Sequence, residues 1–281
     1  MTSTLYGLDV PDETAELDIR SANPKKVFKM LFENFEMTVP EEELCHSYMK
    51  INAAMYERAC RMVKPFADVF GGTLRVTKTF LSTVDERIYL GGPKMAHFLS
   101  ALLNETELER MTVNIRLPGI GYRLKEGKIL ELLEQAYVTE AGREAHGGIV
   151  INRGEVQNLG RPCFGGTFLI FKDVGVQVGG DQAYGESSDT LFLDFRKRSV
   201  SNRNLSSYSM TDCVFVSETQ EIEGLYCNGH AGPAALKSDE ALRSLMDEIK
   251  AASKASDAKT ITSLGHQIYS HMFANYSGRW Q

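Results

Sequence analysis

The sequence lacks the features that mark secreted and membrane proteins. No run of about 18 apolar residues is present, so no segment is expected to span a membrane as a helix. The first 20 residues carry five acidic side chains and no apolar segment of a secretory signal. The five cysteines are scattered, and no Cys-x-x-Cys pair suggests a disulfide framework or a zinc ribbon. These absences favour a cytoplasmic location in a reducing compartment.

The chain also lacks a basic excess and the common cofactor motifs. Its 37 acidic residues outnumber 31 basic ones, for a net charge of −6, which opposes a broad nucleic-acid surface. No phosphate-binding G-x-x-x-x-G-K-[ST] sequence occurs, and the turn at 118–121 lacks the third glycine of a dinucleotide site. Cys227 and His230 have the spacing of half a zinc site, but no second pair completes it. We therefore expect neither a metal nor a cofactor.

What remains is an ordinary globular composition, with 43% hydrophobic and 24% charged residues. The chain divides by pattern into four segments that are compatible with a single domain. They are an acidic N-terminal segment (1–22), a helical segment (23–66), a β-rich core with two helices (67–232) and a C-terminal helical segment (233–281).

Helix signals dominate both ends of the chain. Asn23 before Pro24 predicts a capped helix start, and an apolar stripe from Leu44 to Val63 predicts a long helix that ends at Pro65. Near the C-terminus, Ser238 and the Ser256-Asp257 pair are predicted to begin two amphipathic helices.

The middle of the chain is rich in β-branched and aromatic runs bounded by turn residues, which predict strands. The predicted strands are 73–81, 86–90, 111–117, 148–152, 167–178, 190–195, 212–217 and 221–226. Two helices are predicted between them, at 93–103 and 128–137. Because few helices separate the strands, we expect an α+β fold with an antiparallel or mixed sheet at its centre.

No repeat of the length expected of solenoids or propellers is evident from the sequence. The segments 70–78 and 164–172 share five identities over nine positions, and each places Gly-Gly-Thr before an apolar run. Because the similarity does not extend to either side, we interpret it as chance combined with common turn chemistry.

The leading functional hypothesis is a non-enzymatic interaction or self-assembly protein, and a viral or phage structural protein is one setting for such a chain. Its partner would be another copy of the chain or another protein. Exposed strand edges provide one route to pairing with a neighbour, and Trp280, next to the end of the sequence, is a second candidate contact.

Two alternatives stay open. The first is a cysteine-dependent hydrolase in which Cys163 is the nucleophile, His230 the base, and the Gly165 and Gly166 amides the oxyanion donors. The second is a nucleic-acid-binding protein that contacts phosphates through a basic run. The residues of that run are Arg196, Lys197, Arg198 and Arg203.

Overall fold

The computed structural model describes residues 4–5, 8–9, 23–39, 53–81, 92–172, 174–178, 189–196, 210–219 and 227–276. The helices are α1 (Pro24–Thr38), α2 (Ala53–Val63), α3 (Lys78–Leu81), α4 (Pro93–Glu105), α5 (Pro233–Ser238), α6 (Glu240–Ala255) and α7 (Ala258–Tyr276), with a 3₁₀ segment at Lys64–Val69. The strands are β1 (Thr4–Leu5), β2 (Leu8–Asp9), β3 (Gly71–Val76), β4 (Glu107–Val113), β5 (Arg116–Ile120), β6 (Ile129–Leu132), β7 (Tyr137–Ala141), β8 (Ile149–Asn152), β9 (Glu155–Leu159), β10 (Gly166–Ile170), β11 (Val174–Val178), β12 (Thr190–Asp194), β13 (Met210–Ser217) and β14 (Cys227–Ala231).

Apart from the short β1–β2 pair, the strands form a β-solenoid. One sheet has eight strands in the order β14-β13-β12-β10-β8-β6-β4-β3, and a second has four in the order β11-β9-β7-β5. Every strand pair within these two sheets is parallel. From β4 to β11 the chain alternates between the two sheets, so each strand of the small sheet connects two strands of the large one.

The prediction of an antiparallel or mixed sheet was therefore wrong. Parallel strands normally need a crossover of a dozen or more residues, usually a helix, and few helices were visible between the strands. In this fold the crossover is itself a strand of the opposite sheet, such as β5 between β4 and β6. A β-rich sequence with few helices is thus compatible with a parallel arrangement when the chain coils.

The rungs of the solenoid stack in register despite their unequal lengths. Positions that pair along the large sheet lie 18 to 24 residues apart in the chain, namely Arg110, Ile129, Ile149, Thr167, Leu191 and Val214. Thr73 pairs with Arg110, so the Gly-Gly-Thr segments that end at Thr73 and Thr167 occupy equivalent ladder positions. The expectation that no solenoid repeat exists was therefore wrong. The repeat was not recognised in the sequence because its period is irregular.

The large sheet is buried on both faces. Its inner face carries an aromatic stack in which the rings of Phe168 and Phe192 lie 5.0 Å apart and those of Phe192 and Phe215 lie 6.2 Å apart. Its outer face packs against α6 and α7, where Ile149 and Leu191 join one hydrophobic cluster with the helix side chains. Strands buried on both faces read as continuous apolar runs rather than alternating ones, which obscures their spacing in the sequence.

The same two-sided burial explains the wrong secondary-structure predictions. The segment predicted as a helix at 128–137 consists of β6, a turn and the start of β7. The prediction failed because four consecutive residues from Ile129 to Leu132 are all buried, which hides the alternation of a strand. The strands predicted at 111–117 and 167–178 each contain a corner of the solenoid that separates two strands. The predictions at 86–90 and 221–226 lie outside the described residues.

Several helix predictions were confirmed. The Asn23 side chain accepts a hydrogen bond from Lys25 N at 2.9 Å, and Asp257 accepts one from Thr260 N at 3.1 Å. Asp239, not Ser238, caps α6, since its carboxylate accepts from Leu242 N at 2.9 Å. Helix α2 ends at Val63, close to the predicted stop at Pro65, although residues 40–52 lie outside the described part of the chain.

Helix α4 closes the first rung through two buried polar side chains. The Asn104 amide donates to the carbonyl oxygens of Tyr122 and Arg123 and accepts from Lys125 N, so it satisfies three backbone groups of the corner between β5 and β6. Ser100 Oγ accepts from Gly121 N at 3.0 Å. These contacts dock the helix without leaving the corner's polar groups unpaired in a buried position.

Glycine is required where the chain turns from the small sheet to the large one. Gly142 has a φ of +69°, and a Cβ there would lie 2.6 Å from Cε1 of Phe168. A Cβ at this corner and the inward-facing ring of Phe168 would therefore occupy the same space. Gly127 provides a comparison, because its φ is +76° but a Cβ would meet nothing within 4 Å.

Replacing Gly142 with alanine should destabilise the fold by roughly 2–5 kcal/mol, from backbone strain plus overpacking. The Gly127→Ala variant should lose only about 1–2 kcal/mol, because it carries the backbone cost alone. Urea unfolding monitored by circular dichroism measures both. Equal losses in the two variants would contradict the steric account of the corner.

His97 on α4 is a buried imidazole whose Nδ1 has no hydrogen-bond partner among the described residues. Burial lowers the pKa of His97 to about 4, because the charged form is poorly solvated there. The unfolded chain binds a proton near pH 6.5, whereas the folded chain does so only near pH 4. Stability from this group is therefore complete above pH 6.5 and is lost as the pH falls toward 4.

We expect His97→Leu to remove that part of the acid sensitivity. Over this pH range the wild-type free energy of unfolding should fall by up to about 3 kcal/mol more than that of the variant. Urea unfolding at a series of pH values tests this. Parallel pH profiles for the two proteins would contradict it.

Candidate functional site

The end strand β3 of the large sheet is open to solvent. Gly71, Gly72, Thr73 and Arg75 are exposed, and a Cβ placed on either glycine would meet no atom within 4 Å. Within the described part of the chain, β3 pairs only with β4. One side of its backbone is thus available at the end of the sheet.

The ladder with β4 shows which backbone groups face outward. The Val76 carbonyl accepts a hydrogen bond from Asn114 N at 3.0 Å, so Val76 points its backbone groups toward β4. Because successive residues of a strand direct these groups to opposite sides, Leu74 also faces β4, whereas Thr73 and Arg75 face outward. The outer edge therefore presents the N–H and C=O groups of Thr73 and Arg75.

The opposite end of the sheet is more enclosed. Strand β14 packs against α7, and a Cβ on Gly229 would lie 3.6 Å from Cε of Met272. Gly229 and Ala231 are buried, in contrast to the exposed residues of β3. The two ends of the sheet therefore differ in how far their residues are exposed to solvent.

A cleft of about 370 Å³ lies where α7 crosses the beginnings of several strands of the large sheet. Glycines form much of its floor, including Gly165 and Gly166 on the solenoid and Gly265 on the helix. A Cβ on Gly265 would approach Thr167 Oγ1 to 3.0 Å, so the helix reaches the sheet closely here. Two aromatic, two imidazole and two carboxylate side chains line the cleft: Phe164, Tyr269, His146, His266, Glu126 and Asp189.

The structure separates the proposed cysteine–histidine pair. Cys163 is fully buried, and its sulfur accepts a hydrogen bond from the Thr190 hydroxyl at 3.3 Å. His230 pairs with Phe215, which is linked through Phe192 to Phe168 on β10. Three strand spacings, about 14 Å, thus lie between β14 and the strand that follows Cys163. This placement gives the hydrolase hypothesis no support.

The basic run is only partly within the described residues. Arg196 is 3% exposed, and its Nε and Nη2 atoms each donate to the Asp194 carboxylate at 2.7 Å. The guanidinium is thus held in the core by a bidentate pair with a carboxylate and is not available to bind a phosphate. Lys197, Arg198 and Arg203 lie outside the described residues, as does Trp280.

Sequence reasoning missed most of the residues at these two sites. The exposed strand was predicted at 73–81, but its place at the sheet end depends on rung order, which no local pattern encodes. The cleft brings together residues from five separate segments of the chain. The paired glycines before Thr167 were the one available signal of a close backbone approach.

Comparison with known proteins found no match: no family model, no curated protein and no solved structure is significantly similar to the chain. None of the described helices combines the length and the apolar composition that a membrane-spanning segment requires. The described residues contain no cluster of three or more His, Cys, Asp or Glu side chains arranged to hold a metal ion.

Burial of Cys163 leads to a direct chemical test. We expect iodoacetamide to label this thiol at least about a hundredfold more slowly in the native protein than in urea, because the reagent cannot reach it. Peptide mass spectrometry resolves Cys163 from the other cysteines. Rapid native labelling of Cys163 would contradict its placement in the core.

Proposed function

We propose that this chain is a non-enzymatic interaction protein that self-associates through the outer edge of β3. The observation that carries the proposal is the pair of outward-facing residues, Thr73 and Arg75, on an exposed end strand. An uncovered strand edge is a template for adding another strand, and the added backbone hydrogen bonds supply affinity.

Two-fold symmetry defines how two copies would meet. An isologous pair places β3 antiparallel to β3 of the second copy, which joins the two large sheets into one. In the register centred on Leu74, Thr73 lies opposite Arg75, and both are hydrogen-bonding positions. This register also keeps the two Arg75 side chains from lying directly opposite one another, which like charges disfavour.

The strength of such a contact is limited by its length. Two hydrogen-bonded residue pairs supply about four backbone hydrogen bonds, worth roughly 2–6 kcal/mol in net terms. The upper half of that range, about 4–6 kcal/mol, corresponds to dissociation constants from about 1 mM to about 40 µM, which is the strength the proposal requires, and neighbouring surfaces determine how much tighter the association becomes. A concentration series is needed to detect it.

The test is sedimentation velocity of wild type, Arg75→Pro and Arg75→Thr from about 10 µM to 1 mM, the range in which such an edge should associate. Proline removes an outward N–H that makes no bond to β4, and edge strands tolerate it. The threonine variant removes the same charge and keeps the N–H.

We expect the wild-type protein and Arg75→Thr to associate as concentration rises, and Arg75→Pro to remain monomeric or to associate at least about tenfold more weakly. Urea unfolding checks that the proline variant is folded. Equal association by the folded proline variant, or a wild-type monomer over the whole range, would overturn the proposal.

A further inference from the structure

The cleft beside α7 has the chemistry of a site for a small organic cation, and this feature is independent of the β3 edge. Its volume of about 370 Å³ falls within the range of small-molecule sites in proteins. Strands β8, β10 and β12 and helix α7 contribute lining residues, and Glu126, Phe164 and Asp189 come from the turns that precede strands of the large sheet.

The electrostatic balance of the cleft favours positive charge. Glu126 and Asp189 are exposed at its edge and form no ion pair within the described residues, where no Lys or Arg lines the cleft. The nearest lysines along the chain are engaged elsewhere. Lys125 Nζ lies 2.5 Å from Glu105 Oε1. Lys128 Nζ donates to the carbonyl oxygens of Thr106 at 2.7 Å and Leu108 at 2.6 Å.

Aromatic side chains provide a second element of cation recognition. Phe164 is 38% exposed, unusually high for a large apolar residue in this structure, and its ring stacks on His146 at 5.4 Å. Tyr269 enters from α7, in the cleft's helical wall. Cations bind to the faces of such rings and gain most where carboxylates lie close by and water is partly excluded.

Glycines line the cleft where neighbouring rungs approach each other closely. A Cβ on Gly166 would lie 2.6 Å from the Gly148 carbonyl oxygen, and one on Gly165 would lie 3.2 Å from Gly147 N. Glycine at these two positions therefore allows the rungs to stack, and the cleft is lined by backbone here. A ligand can approach the backbone there while its charged group is held between rings and carboxylates.

We infer that this cleft binds a small organic ammonium ion, with Phe164 as the cation–π contact and Asp189 and Glu126 as the counter-charges. The chemistry disfavours an anion, because two carboxylates line the same space. It also distinguishes the site from a neutral sugar site, which does not need two carboxylates that lack an ion pair among the described residues.

Isothermal titration of the full-length chain with choline tests the inference, and 3,3-dimethylbutan-1-ol serves as a neutral probe of the same shape. We expect choline to bind at least about tenfold more tightly than the neutral probe, which isolates the contribution of the charge. Equal affinities, or no heat from choline at millimolar concentrations, would overturn the inference.

Two variants assign the binding to this cleft. Phe164→Leu keeps apolar bulk but removes the ring, and Asp189→Asn removes a charge at a residue with φ +47°, where asparagine is well tolerated. Each should weaken choline binding about five- to tenfold, whereas Met37→Leu, at an exposed methionine on α1, should leave it unchanged. Unaltered binding in both folded cleft variants would contradict this location.

Discussion

The structure depends on the in-register stacking of parallel strands that come from different turns of the chain. Each rung must deliver its strand to the same ladder position, although the intervening segments vary from 18 to 24 residues. Glycine corners make this possible, and Gly142 illustrates the constraint because its Cβ would collide with Phe168. Once the rungs are aligned, the aromatic rings stack inside and an apolar outer face forms for α6 and α7.

An open solenoid cannot close its own hydrogen bonds in the way a barrel does, so its ends need other elements. Asn104 and Ser100 on α4 hydrogen-bond to the backbone of the corner between β5 and β6, at one end of the core. Strand β3 nevertheless extends the large sheet beyond β4 and leaves its outer edge exposed. The proposed self-association would cover this edge.

The β3 edge and the cleft both result from the stacking of the rungs, but they offer different groups for binding. The β3 edge offers backbone groups in the plane of the sheet, whereas the cleft arises where glycine-lined strand beginnings meet α7. Neither site requires the other. A chain that assembles through its edge would still keep the cleft, since its lining comes from β8, β10, β12 and α7 rather than β3.

Local signals in the sequence predicted several helix starts, although the helix predicted at 128–137 is a strand and a turn and Ser238 does not cap α6. Asn23 and Asp257 act as capping residues because a short polar side chain can satisfy nearby backbone N–H groups wherever the helix lies. Strand pairing was not predictable in the same way, because it depends on residues far apart in the chain. Burial of Ile129 through Leu132 on both faces produced a pattern that imitates a helix.

The sites were the least predictable part of the molecule. Cys163 resembled a nucleophile because glycines follow it, but those glycines serve rung stacking and the thiol is buried. Arg196 was predicted to lie on the surface because it belongs to a basic run. Its ion pair with Asp194 is buried, and the burial of that strand depends on other rungs, which the local sequence does not reveal. Exposed strand edges were predicted in general, but β3 could not be named as the exposed strand because its position depends on the strand order.

Residue-resolved amide hydrogen exchange at low and high protein concentration tests the central claim most directly. The amides of Leu74 and Val76 should be protected at both concentrations, because they bond to β4. Those of Thr73 and Arg75 should exchange quickly in dilute protein and become protected in concentrated protein. Concentration-independent exchange at Thr73 and Arg75, or rapid exchange at Leu74 and Val76, would contradict the proposed self-association through β3.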